Sequence, residues 1–396
     1  MTPAADATVR AVALCAEHRW FYPAMEGTRR RFLTRVGAAG IVGVAGCTGG
    51  PNDNGGEGTP TDGTDTGTGA DAGTSATRVG MVYATGGLGD GSFNDQAQQG
   101  LLEAESAFEI AYQEAQPEAV GEFGSFQRQF AESSDPDYDL VCCIGFLQTD
   151  ALTSTSSNYP DQQFMLVDGV VDAPNVSSYV FAEEEGSFLV GQLAGSLTTD
   201  EFAAGAGETD PESTTVGFVG GVESDLIRRF EAGFTAGVGH ADEDVGVLTN
   251  YVGDFNEPSG GKEAALSMFD DGADIVYHAA GNTGTGVFQA AQERGRFAIG
   301  VDRDQSLTKE SYADVIVASM VKRVDTAVYD AIEGAVEGDF EGGGVVSLGL
   351  EQDGVDIIYG QQLGAEVSAD VKDAIATSRQ AIVDGDISVP TDPDDA

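Results

Sequence analysis

Basic residues are what this 396-residue chain has least of: 19 lysines and arginines stand against 66 acidic residues, for a net charge of −47. Only four of the cations are lysines, Lys262, Lys309, Lys322 and Lys372. No basic patch is available to neutralise a phosphate backbone, which argues against a nucleic-acid partner. The acids are scattered rather than gathered in one block, so they coat folded surface. In dilute buffer such a shell repels itself and weakens the compact state. At about 1 M salt the Debye length falls to about 3 Å and screens that repulsion. The economical source is a salt-adapted cell; a protein acidic for the sake of cationic partners would concentrate its charge.

Cysteine and histidine are nearly as scarce. Of four cysteines, Cys142 and Cys143 are adjacent in the apolar run DLVCCIGF and are expected as buried free thiols of a strand. His18, His240 and His278 are far apart, and no CxxC pair or Cys/His cluster is spaced for zinc. Neither a metal nor an organic cofactor is expected, nor a nucleophile–base pair. Disorder is excluded for most of the chain by its 41% hydrophobic content, and its length fits two domains.

The first 47 residues read as an address. Arg29-Arg30-Arg31-Phe32-Leu33 precedes an uncharged VGAAGIVGVAG run that begins after Arg35. That run is too short for a span of about 20 residues and fits the core of a signal peptide. It ends in Val44-Ala45-Gly46-Cys47, similar to a lipoprotein cleavage box with Cys47 as the lipidated residue. The paired arginines resemble a twin-arginine export signal, and Met25 suits a start better than Met1. Residues 48–77, rich in Gly, Thr and Asp, form an expected flexible tether between anchor and body.

From Arg78 onward, short β-branched runs alternate with helical periodicity, the pattern of parallel sheets with crossover helices. Strands are expected at 78–84, 139–146, 163–169, 215–221, 274–281, 296–302 and 315–321. Two segments, VGMVYATGGLGDGSFNDQAQQGLLEA and VGFVGGVESDLIRRFEAGFTAGV, share a strand, loop and helix, consistent with two similar lobes. Ligands of open α/β sheets sit beyond the carboxyl ends of the strands, so the residues following each strand are the candidates. After the first strand the glycine-rich loop 86–95 offers Asp90, Phe93 and Asn94 to a crevice, with Ser92 and Asp95 expected only to cap the following helix. The loop from Gly281 to Gly286 lacks the GK[ST] of a phosphate loop and reads as a tight strand-to-helix turn.

The ordered series GGLGDGSFND, GFLQTDAL, FMLVDG, FAEEEGSFLVGQLAG, VGFVGG, IRRFEAGFTAG, AGNTGTG, GVDRDQ and VASMVKRVDTAV resembles the basic membrane protein lipoprotein family. Its members look like the binding components of nucleoside-importing ABC transporters. The resemblance implies a type I periplasmic-binding-protein fold, α/β, with two Rossmann-like lobes that close on ligand by hinge motion. The expected lobes are 78–182 plus about 305–345, and 183–304 plus about 346–390. By the same resemblance, Phe230 stacks on the base, Asp150 contributes from the turn after its strand, and the backbone at Gly284 approaches ligand. Asp302 and Lys322 would hold the ribose, the carboxylate accepting both vicinal hydroxyls. The stretch 201–214 departs from the family and is expected as a surface loop.

The implied function is capture of a nucleoside, a purine first, for delivery to a membrane permease driven by a separate ATPase. The protein would be a monomer, lipid-anchored on the outer face of the cytoplasmic membrane. A sugar or other small polar metabolite is the second reading, since fold does not fix ligand. A nucleoside hydrolase using Asp90, Asp150 or Asp302 is the remote third.

Overall fold

A computed structural model describes residues 76–396. The export signal, Cys47 and nearly all of the tether lie outside them. The first lobe opens with β1 (Thr77–Val82), α1 (Phe93–Ala107), β2 (Ile110–Ala115), α2 (Phe123–Ala131), β3 (Leu140–Ile144), α3 (Thr149–Asn158), β4 (Gln163–Val167) and β5 (Val176–Phe181). Helix α4 (Glu183–Thr198) and a small hairpin, β6 (Ala203–Ala204) and β7 (Gly207–Glu208), lead into the second. That lobe runs β8 (Thr215–Gly220), α5 (Asp225–Ala241), β9 (Gly246–Tyr251), α6 (Pro258–Asp270), β10 (Ile275–Ala279), α7 (Gly284–Arg294), β11 (Phe297–Asp302), α8 (Gln305–Thr308) and β12 (Ile316–Lys322). The chain closes with α9 (Val324–Glu337), β13 (Val345–Leu348), β14 (Val355–Tyr359) and α10 (Ala369–Val383).

Two six-stranded sheets result, ordered β13-β5-β4-β3-β1-β2 and β14-β12-β11-β10-β8-β9. All pairings within them are parallel except β12 with β14. The first five strands of each lobe keep one spatial order, so the likeness between the two opening segments reflects a repeated unit. Helices cover both faces, as parallel sheets require, and the central strands are apolar throughout. Both Cys142 and Cys143 are buried free thiols.

The backbone crosses between lobes three times, and each crossover helix packs on the lobe it enters. Helix α4 buries almost its whole circumference against α5, β12 and β14. A Cβ at Gly191 would strike the backbone of Phe234, and one at Gly233 the backbone of Glu184, so glycine lets these helices touch. Helix α9 returns to pack on α1. Residues 305–322 therefore stand with the second lobe, not the first as the sequence suggested. Their strand β12 pairs with β11, and the return crossing comes at Arg323. The stretch 201–214 is likewise more than a surface loop. The buried Asp274 carboxylate accepts from Thr198 Oγ1 at 2.6 Å and from the Asp210 amide at 3.0 Å, while Phe202 packs on Phe297.

Candidate functional site

In each lobe the strand order reverses where its first strand is flanked by its second and third, and the carboxyl ends of the strands there border a common crevice. The crevice encloses about 700 Å³ of space between the lobes, the open solvent at its mouth included. Its walls are the segments after β1, β3 and β4 on one side and, on the other, those after β9 and β10, the end of β11, α5 and Lys322.

Asp90 shapes the first of these segments. Its carboxylate accepts the amides of Ser92 and Asn94 at 2.9 Å each and of Asp95 at 3.2 Å, capping α1. The Asp95 side chain in turn accepts the amides of Gly89 and Gly91 at 2.7 and 2.8 Å. Ser92 stands at the N-cap position that its S-x-x-D spacing suggested, but its side chain makes no capping bond. Its hydroxyl donates across the crevice to the Asp302 carboxylate. Asn94 accepts the Ala84 amide through Oδ1 at 2.9 Å, which leaves its NH₂ group for the cavity it lines.

Lys322 sits at the floor, 1% exposed. Its ammonium pairs with Asp168 at 2.6 Å and with Glu183 at 2.8 Å. The rings of Phe93, Phe181 and Phe230 surround it at 5.4, 4.9 and 5.6 Å from Nζ to centroid, within cation–π range. Burial disfavours the charge of Lys322, but Asp168, Glu183 and Asp302 outweigh it and hold its pKa above the usual lysine value. One lysine cannot neutralise three buried carboxylates. Burial therefore pushes Glu183 up to about 7, Asp302 up to about 6, and Asp168 also upward.

Asp90, Phe93, Asn94, Phe230, Asp302 and Lys322 come together in the cavity wall. Asp150 does not join them; it lies exposed in the first turn of α3 and is not among the residues lining the crevice. Nor does Gly284. A Cβ there would collide with the buried His278 imidazole, so this glycine makes room for a side chain, and Gly281 and Asn282 of the same loop reach the cavity instead. Sequence reasoning passed over Phe146, Phe255 and the acids Asp168 and Glu183. Phe146 and Phe255 come from opposite lobes and meet edge to face at 6.4 Å. Phe146 and Asp168 follow strands β3 and β4, the same positional signal that singled out Asp302.

His278, the histidine nearest these strand ends, is kept neutral by burial, its pKa pushed down to about 3, and bonds Gln305 at 2.9 Å. Acceptors, one cation and several aromatic faces line the cavity.

Residues 77–392 match the family model described as ABC transporter substrate-binding protein, PnrA-like. A CD4+ T-cell-stimulating antigen of Listeria monocytogenes is 38% identical over 80% of this chain and 88% of its own length. An ABC transporter nucleoside-binding protein BmpA of Lactococcus lactis is 32% identical over 79% of this chain and 89% of its own. An ABC transporter solute-binding protein of Aeropyrum pernix superposes with a TM-score of 0.70 at 29% identity, covering 80% of this chain and 95% of that one.

Proposed function

The chain belongs to the family of PnrA-like ABC transporter substrate-binding proteins, and from that premise we propose that it captures a nucleoside, a purine first, between its lobes. The ligand passes to a membrane permease coupled to a separate ATPase. The protein waits for it outside the cell, held to the cytoplasmic membrane by a lipid on Cys47. Among the described residues no helix is long and apolar enough to cross a membrane.

The observation that carries this reading is the union of rings and charge in one cavity. Phe93 and Phe230 flank the base, and Asp302 with Lys322 takes the ribose hydroxyls. Asp90 and Asn94 face the polar edges. Stacking a base on an aromatic ring is worth about 1–3 kcal/mol, and two hydroxyls donated to one buried carboxylate add charge-assisted bonds. The BmpA relative carries nucleoside binding in its name, and the same ligand class fits these walls. Native mass spectrometry of protein purified in molar salt tests the reading: a co-purified mass of a nucleoside supports it, and a hexose mass overturns it.

A further inference from the structure

Beside the cavity, but outside it, the lobes grip each other through a second set of contacts. The gripped element is the loop leading to α1 in the first lobe, and the gripping one is the segment 303–309 around α8 in the second. Thr308 Oγ1 donates to the Gly91 carbonyl at 2.8 Å, and Gln305 Nε2 reaches the same oxygen at 3.4 Å. Gln305 is fixed for this by its own carbonyl, which accepts the Val301 amide at 2.8 Å and bonds His278 at 2.9 Å. Arg303 donates to Gln99 at 2.7 Å. The half-buried Lys309 lies across Gly91, whose φ is +63°; a Cβ there would come within 2.6 Å of Lys309 Cε. Burial lowers the pKa of Lys309, opposed by the charges of Asp90 and Asp95.

None of Gly91, Gln305, Thr308 and Lys309 lines the cavity. Yet the loop they hold is the one that Asp90 and Asp95 shape, and Asp90 faces the ligand space. Cation supply adds an independent argument. Only four lysines exist in the chain, and two of them, Lys309 and Lys322, stand between the lobes. Two acidic lobes repel as they approach, and a lysine in the field of Asp90 and Asp95 of the opposing lobe offsets that repulsion where the lobes meet.

We propose that Lys309 and Thr308 form a clasp on Gly91 that sets how firmly the lobes close, making them positioning residues for ligand retention rather than ligand contacts. The ligand part of this inference rests on the cleft being the nucleoside site; the closure part does not. The clasp acts after encounter, so its loss speeds dissociation and leaves association nearly unchanged.

The test uses the full mature protein in molar KCl with Lys309→Met, Thr308→Val and the double variant, each keeping the stem volume and removing the donor. Inosine dissociation is followed by stopped-flow tyrosine fluorescence, since Trp20 precedes Cys47, and lobe opening by small-angle X-ray scattering without added nucleoside. Each single change is expected to raise koff about three- to tenfold, Thr308→Val through one lost hydrogen bond and Lys309→Met through the lost attraction to Asp90 and Asp95, with kon within twofold of the parent. The double variant is expected to scatter as a more open particle, and Lys309→Arg to restore the parent values. An unchanged scattering curve in the double variant, or an unchanged koff, overturns the clasp. If the parent protein ignores inosine while the double variant still opens, the nucleoside reading fails and the closure role stands.

Discussion

Asp168 and Asp302 hold matching places in the two lobes. The fourth strand of each lobe gives out at one of them, both have left-handed backbone (φ of 64° and 65°), and Lys322 lies within the field of both. Aspartate tolerates that conformation better than most side chains with a Cβ. The repeat thus brings two strand-end carboxylates to the single lysine of the crevice floor, and the floor carries more negative charge than it can neutralise.

That excess has a cost at neutral pH. Burial first, and then the neighbouring acids, raise Asp302 to about 6 against an ordinary value near 3.8. A carboxyl raised in the folded state adds stability that is fully present below its unfolded value and is lost as pH rises through the folded one. Asp302→Asn is therefore expected to melt higher than the parent at pH 7, by up to about 3 kcal/mol in stability, and level with it at pH 4. Thermal melts across that window check this, and a variant less stable at pH 7 contradicts it.

The same carboxyl makes binding depend on pH. The ionised form accepts ribose hydroxyls, so affinity for a ribonucleoside should fall as pH drops through about 6 and stay level above 7. Asp302→Asn should weaken ribonucleosides far more than 2′,3′-dideoxy analogues, since the missing acceptor matters only where hydroxyls are present. Equal losses for both ligand types would remove Asp302 from the ribose.

Phe230 is 3% exposed, so truncation to alanine would disturb packing as well as stacking. Phe230→Leu keeps most of the volume and removes the ring. It is expected to weaken inosine by about 1–3 kcal/mol while the melting temperature moves little. Unchanged inosine affinity would leave Phe93, Phe146 and Phe255 as the stacking candidates.

Most of the fold was legible because its central strands are apolar on both faces and end in turns. The strands that escaped notice are the two-residue β6 and β7 and those with mixed patterns: β2 and β9 at sheet edges, β5 broken by Ser177 and Ser178, and the late β13 and β14. The lobe boundary near 305 slipped because sequence order gives no sign that β12 adds to β11 before the chain returns. At the site, positions after strands were readable, and six of the eight residues singled out for the ligand meet in the cavity. Asp150 failed because the same turn can aim a side chain at solvent, and Gly284 because a glycine signals close approach without saying to what. Glu183 was invisible as a partner of Lys322. Its pairing crosses from the start of α4 to the end of β12, and no local pattern encodes it.

The surface charge predicts a salt requirement. With −47 on the chain, melting temperature should climb steeply between dilute buffer and molar KCl as screening shortens. A melting temperature indifferent to salt would contradict a shell built for brine.

Anchoring is tested by one sulfur. If Cys47 carries the lipid, Cys47→Ser releases the protein to the medium with its melting curve intact. Continued retention on the membrane would place the anchor elsewhere.

The central claim, a nucleoside held by rings above and a charged floor below, is tested most directly by calorimetric titration of the folded protein in molar KCl with inosine, guanosine and free ribose. The account predicts saturable heat for the nucleosides and none for ribose at the same concentrations. Saturable binding of ribose with no response to either nucleoside would contradict it.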